Sequence, residues 1–346
     1  MGGGKTIGSR ALERIADLWQ AKEPRVRWGK DGFAWWPGDF AVEVTAHKKI
    51  DGYVPETWML TVRTGFLKDI PVEDPQFIRI AAVTAPFCAP TFAWVYPPAE
   101  VWAQHGEAGT RPRLWLSNTA YITADNVDWL SHFVAMMSMM QPINAQIQHE
   151  NMAELLGGVA DKSRPAALAG LGLHESQWVA DQIFAPIGKE TNRWIGTGEF
   201  QSIVEIGTTE YSDRQADDGG LTIETSFGED LALIRLRTDQ THPALGTGLL
   251  ATLHFPVFGE RTQIAQQCAR MNLIESMWTD DFPQLGCWHP QGRREGPDEV
   301  IFTTFVPNAL YQPGIAHCVT DWMFRRARWV RDNIYLNRTA SRSKPS

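Results

Sequence analysis

Cys287 and His289 stand two residues apart, and Cys268, His254 and His317 are scattered elsewhere. Structural zinc takes four ligands, normally as two closely spaced pairs. One loose pair does not meet that need, so the expectation is buried cysteine and no metal. Gly2-Gly3-Gly4-Lys5-Thr6 imitates the tail of a phosphate-binding loop. That loop works only after a buried strand, which aims its backbone N–H groups at the phosphates. No strand stands before these glycines, so no nucleotide and no other cofactor is expected. The chain has no Gly-x-Ser-x-Gly, and no cysteine sits in a recognisable nucleophile context. Its acidic pairs, Asp217-Asp218, Glu229-Asp230 and Asp280-Asp281, are adjacent residues. Adjacent side chains point apart on a helix or strand, so these pairs read as turn chemistry and no catalytic residue is assigned.

Two helices carry chemistry of another kind. The one that opens near Asp125 holds Val127, Trp129, Leu130, Phe133, Val134, Met136, Met137, Met139 and Met140, and is apolar nearly all round. Such a helix must be covered on more than one side. Methionine is flexible and polarizable, so a cluster of it suits either an inter-domain contact or a surface that adapts to varied apolar segments. The last helix, 315–335, has Ile315, Val319, Trp322, Ala327, Val330 and Ile334 on one side, with Arg325, Arg328 and Arg331 at three-residue intervals on another. The candidate peptide-binding residues are therefore Phe133, Met136 and Met140 for apolar contact, with Arg325 and Arg328 selecting charge.

Composition limits the classes that remain. The chain has 346 residues, 43% hydrophobic and 21% charged, enough apolar surface to fold and enough length for about two domains. A net charge of −8 gives no general affinity for phosphate backbones, so no nucleic acid partner is expected. Charge is uneven: 325–346 holds seven basic residues and one acid. Four cysteines without a C-x-x-C pair read as reduced thiols and a cytoplasmic protein. No apolar run approaches the ~18 residues of a membrane span, and no membrane partner is expected.

The elements that must position these residues come in a repeated order. A helix capped by Ser9 is expected over 9–21. Alternating strands follow, with Phe40, Val42 and Val44 on one face and Trp58, Leu60 and Val62 on another, joined through an Asp51-Gly52 turn. A helix over 75–85, strands over 91–96 and 113–118, and the long helix interrupted at Pro142 complete the first set. The second set reads helix 173–185, strands 201–210, 221–227, 231–237 and 248–255, helix 262–277, strands 285–289 and 299–306, and the final helix. Arg27-Trp28 aligns with Arg193-Trp194, Leu114 to Asn118 with Val300 to Thr304, and Asp128-Trp129 with Asp321-Trp322. The fold expected is α+β, in two similar domains, each an antiparallel sheet flanked by helices and ending in a long helix. The divisions are 1–156, a Gly/Ala/Pro-rich linker at 157–170, and 171–346 with an extra hairpin near Asp217 to Gly220 and a basic tail.

An apolar strand that ends in a polar turn and feeds an Asp-Trp-bearing helix occurs at 113–140 and again at 299–335. This pattern resembles the type III secretion chaperone and YbjN-like fold. The resemblance implies tandem chaperone-like domains forming an internal pseudo-dimer, and a non-enzymatic module that binds a protein or peptide client. Two other readings stand beside it. One is a hydrolase with its site in the inter-domain cleft. The other is a carbohydrate-binding module that uses exposed tryptophan among the fifteen present, Trp35, Trp36, Trp94, Trp102 and Trp115 included.

Overall fold

The fold comes from a computed structural model that describes residues 5–49, 56–71, 93–95, 113–173, 191–206, 211–227, 230–242, 245–256, 260–278, 282–291 and 299–335. The expected helix over 75–85, the Asp51-Gly52 turn, nearly all of helix 173–185, the glycines at 2–4 and the basic tail beyond 335 lie outside these residues. The architecture is α+β, with two antiparallel sheets.

Helix α1 (Ile7–Leu18) opens the chain. Its cap is Thr6, whose Oγ1 accepts from the Ser9 N–H at 3.1 Å, so Ser9 sits inside the first turn rather than before it. Ile7, Ala11, Leu12 and Ile15 form its buried stripe. Trp19, just past its end, stacks on Trp35 and donates its ring N–H to the Ala135 carbonyl at 3.2 Å.

The first sheet contains β1 (Val26–Trp28), β2 (Gly32–Trp35), β3 (Val42–Lys48), β4 (Trp58–Lys68), β5 (Ala93–Val95) and β6 (Arg113–Ile122). Their order is β1-β2-β3-β4-β6-β5. In β3 the alternation is direct: Val42, Val44 and Ala46 are buried, while Glu43 and His47 are exposed. Two helices follow, α2 (Val127–Ser138) and α3 (Met140–Leu156). The break falls at Met139, and Pro142 lies in the first turn of α3, where a missing N–H costs nothing.

The segment expected as a linker is built into the first half. Strand β7 (Val159–Ala160) pairs with β4, the Asp161 N–H donates to the Phe66 carbonyl, and the Ser163 N–H donates to the Asp39 carbonyl. Arg164 pairs with Asp39 and donates to the Leu168 carbonyl.

The second half holds α4 (Glu199–Ile206), β8 (Tyr211–Asp217), β9 (Gly220–Phe227), β10 (Asp230–Arg237), β11 (Gly248–Pro256), α5 (Arg261–Trp278), β12 (Cys287–Gln291), β13 (Glu299–Pro307) and α6 (Ile315–Val330), with a π-helical turn at Arg331–Tyr335. The strand expected over 201–210 is a correction: most of it is helix α4. Val204, Glu205 and Ile206 imitate a two-residue alternation, but Phe200 and Ile203 are buried at helical spacing. The Thr197 hydroxyl also accepts from the Glu199 N–H at the helix start.

The second sheet runs β12-β13-β11-β10-β9-β8. Read from β8, this is the order of the first sheet. Each is a four-stranded meander whose fourth strand pairs with the last strand to arrive, and the fifth strand takes the edge. The hairpin β8–β9 occupies the place of β1–β2, with strands of seven and eight residues against three and four. Its second strand opens with Gly220, which lies close against β10: a Cβ there would stand 2.5 Å from the Leu236 carbonyl oxygen.

Candidate functional site

Helices α2 and α6 meet where the two halves touch. Trp129 and Trp322, the residues that align between the halves, stack on each other with centroids 6.3 Å apart and planes within 5°. Phe133 packs against Trp322 from the side. A crevice beneath them, lined by Phe133, Met137, Phe302, Val319, Met323 and Arg326, has room for about 10 Å³, one water molecule.

This placement answers the question posed by the apolar helix. Phe133, Met136 and Met140 are only 4, 7 and 6% exposed. As candidates for direct client contact these three are therefore corrected: they fill the core, because α2 packs against α1, β6 and β4, with Trp322 of α6 against Phe133 at the seam, while Met140 opens α3, which packs on β4. Arg325 and Arg328 remain outside and exposed. Arg325 forms a 2.8 Å ion pair with Asp321, one helical turn earlier. The five residues do not form one surface.

Arg326, between these two surface arginines, turns inward and is 1% exposed. Its Nε donates to both oxygens of Glu275 on α5, at 2.9 and 3.1 Å, and its Nη2 donates to the Pro283 carbonyl at 2.9 Å. The guanidinium lies 3.6 Å from the Phe302 ring centroid and 4.4 Å from that of Phe282. Glu275 Oε1 also accepts from the Trp288 ring N–H at 2.6 Å. Burial pushes the Glu275 carboxyl up, and the neighbouring guanidinium opposes that shift. Spacing carried a signal here: Val319, Met323, Arg326 and Val330 follow the i, i+4, i+7, i+11 stripe of a buried helix face.

The halves are also joined by backbone. Thr119 on β6 and Gln284, just before β12, exchange two N–H to carbonyl bonds of 3.1 and 2.7 Å. Asn118 Nδ2 donates to the same Gln284 carbonyl at 3.3 Å, and its Oδ1 accepts from Gln141 at 2.7 Å and from Ser138 at 3.0 Å. Gln284 Nε2 donates to the Asn272 carbonyl, and the Asn272 side chain bonds both the N–H and the carbonyl of Trp288. The Ser276 carbonyl, at the end of α5, accepts from Thr119 Oγ1 and Arg63 Nη2.

A second polar group lies on the face of the second sheet turned away from α6. His254 on β11 and His289 on β12 both stand opposite Ile301 of β13. His254 bonds Glu299 Oε2 through Nδ1 at 3.2 Å and Thr252 Oγ1 through Nε2 at 2.9 Å. His289 Nε2 lies 2.9 Å from Thr303 Oγ1. Desolvation, with a contribution from nearby His254, pushes His289 down to about 4. His242, in the turn before β11, is likewise pushed to about 4 by burial. Cys287 shares this face opposite Thr303, while His317 is on α6, 2.9 Å from the Ser202 hydroxyl. Among the described residues, no three His, Cys, Asp or Glu side chains come together as a metal site. Among the tryptophans whose side chains are described, Trp28 is the exposed one, at 50%, so no coplanar exposed pair offers a sugar platform.

No protein-family model, no curated protein and no solved structure matches this chain.

Replacing Glu275 by Leu strands a buried guanidinium, and urea unfolding is expected to show a loss of about 3–5 kcal/mol. The double change Glu275→Leu with Arg326→Met is expected to recover most of it. The two histidines set a pH dependence. With folded values near 4 against 6.5 unfolded, the unfolded chain binds more protons between those limits. Stability is expected to be full above about pH 6.5 and to fall as pH drops toward 4, by up to roughly 3 kcal/mol for each histidine. Urea midpoints across that range check it, and His289→Gln should flatten the curve.

Proposed function

We propose that the chain is a module that binds a protein or peptide client, with the halves acting as an internal pseudo-dimer. The observation that carries this reading is the outer side of α6. Arg325 and Arg328 are exposed there, beside the half-buried rings of Trp322, Phe324 and Trp329. Aromatic and arginine side chains side by side are the composition of protein-binding hot spots. The chain is acidic overall, so a basic helix face selects an acidic partner.

Phe133, Met136 and Met140 have a supporting role in this proposal. Phe133 packs on Trp322 and so fixes a ring that the client would meet, while Met136 and Met140 fill the core behind it. The proposed client segment is short, acidic and carries apolar residues, and it lies along α6. The same reading keeps nucleic acid out, because a net charge of −8 gives the chain no general affinity for a phosphate backbone. The proposal takes the protein to be cytoplasmic, on its four cysteines without a C-x-x-C pair. No described helix is long and apolar enough to cross a membrane.

Fluorescence anisotropy with labelled peptides tests the proposal. Acidic amphipathic peptides are expected to bind, and neutral peptides of the same apolar content to bind weakly. The double variant Arg325→Glu with Arg328→Glu is expected to lose about ten- to a hundredfold in affinity. Equal binding by the double variant would contradict the assignment.

A further inference from the structure

Thr252, His254 and Glu299 have the connectivity of a nucleophile, a base and a base-orienting acid. The threonine hydroxyl is 2.9 Å from His254 Nε2, and Glu299 Oε2 is 3.2 Å from His254 Nδ1. A proton on Nδ1, donated to the carboxylate, leaves Nε2 as an acceptor for the hydroxyl proton. The strand geometry makes the set: Thr252 and His254 are two apart on β11 and share a face, and Glu299 opens the neighbouring strand on that same face. His254 and Glu299 are both more than nine-tenths buried, while Thr252 is half-exposed. Beside Thr252, its cross-strand partner on β10 is Arg235, half-buried and in no ion pair with a described residue.

The first sheet shows that the fold does not need this set. If Ser117 is aligned with Thr303, the partner of Ser117 is Arg63 where the partner of Thr303 is Thr252. His254 then corresponds to Gly65, where a Cβ would meet the Asp161 carboxylate at 2.7 Å. The relay belongs to the second half alone.

We infer that Thr252, His254 and Glu299 form an acyl-transfer site for carboxylic esters, with Arg235 placed to stabilise the oxyanion. Thr252 Oγ1 attacks the ester carbonyl carbon as its proton passes to His254 Nε2. The bond to the alcohol oxygen breaks, and that oxygen takes the proton. A water then gives its proton to the same nitrogen, its oxygen attacks the acyl carbon, and the acid is released as the threonine hydroxyl is restored. Glu299 positions the imidazole throughout. The site is separate from the proposed client face, because Ala251 and Leu253 turn the other way into the core on which α6 packs. It therefore adds an activity that the binding proposal does not contain.

The probe is a fluorophosphonate, which transfers its phosphorus to an activated hydroxyl with loss of fluoride. The full-length folded protein is treated and its peptides are mapped by mass spectrometry. The expected result is an adduct on Thr252, absent in Thr252→Val and kept in Thr252→Ser. His254→Gln is expected to slow labelling by about 100-fold or more. An unlabelled Thr252, in a sample where an added serine hydrolase is fully labelled, would overturn the inference, and so would an adduct confined to another residue. Because the wild-type, valine and serine results decide the matter, a histidine variant that fails to fold does not rescue it.

Discussion

A guanidinium with almost no access to water organises the second half of this protein. Moving an ion of that kind out of water costs several kcal/mol even after relaxation, and the cost is offset only when charge and donors are satisfied together. Arg326 meets that condition with both Glu275 oxygens, the Pro283 carbonyl and two aromatic faces. The partners come from α5, β13 and the segment before β12, so the pair sets where these stand relative to α6 and to one another. Gln284 belongs to that segment, and it carries the backbone bridge to β6 of the first half. The electrostatic knot and the joint between halves are thus two ends of one buried network.

The same strand order occurs twice, yet the halves do not touch as two finished domains. Helix α2 of the first half is covered by its own sheet and by α1, and α6 of the second half closes the remaining edge through Trp322, with Met137 and Met323 lining the crevice between them. Stacking of Trp129 on Trp322 puts aligned residues face to face, as expected of a pseudo-two-fold contact. Elsewhere the halves have drifted apart in chemistry. Gly65 under Asp161 in one sheet corresponds to His254 in the other, and the β4–β6 ladder shifts register just past it, between Gly65 and Leu67, where the β11–β13 ladder runs without a shift.

Much of the fold was legible in the sequence because it is written in local periodicity. The alternation of Val42 and Val44 and the glycines of the Asp218-Gly219 turn each state a backbone preference that survives folding, while the interruption expected at Pro142 falls three residues earlier, at Met139. The strand expected over 201–210 is mostly helix because eight residues are too few to separate a period of two from one of 3.6 when Val204, Glu205 and Ile206 mimic alternation. The candidate residues fared by the same rule. Arg325 and Arg328 are at the surface, as their charge implies. Phe133, Met136 and Met140 were seen as apolar, but what would cover them depended on a helix almost two hundred residues away. Arg326 was hidden among its basic neighbours, although its place in the apolar stripe of α6 was readable. Gln284, Asn118 and the Thr252–His254–Glu299 set gave no signal at all, since each owes its role to partners brought in by sheet register.

Scanning calorimetry of the full chain is the most direct test of the view that both halves share one buried network. A single endotherm is expected, with calorimetric and van't Hoff enthalpies in a ratio near one. Two resolved transitions, or a calorimetric enthalpy near twice the van't Hoff value, would show halves that melt independently and would contradict it.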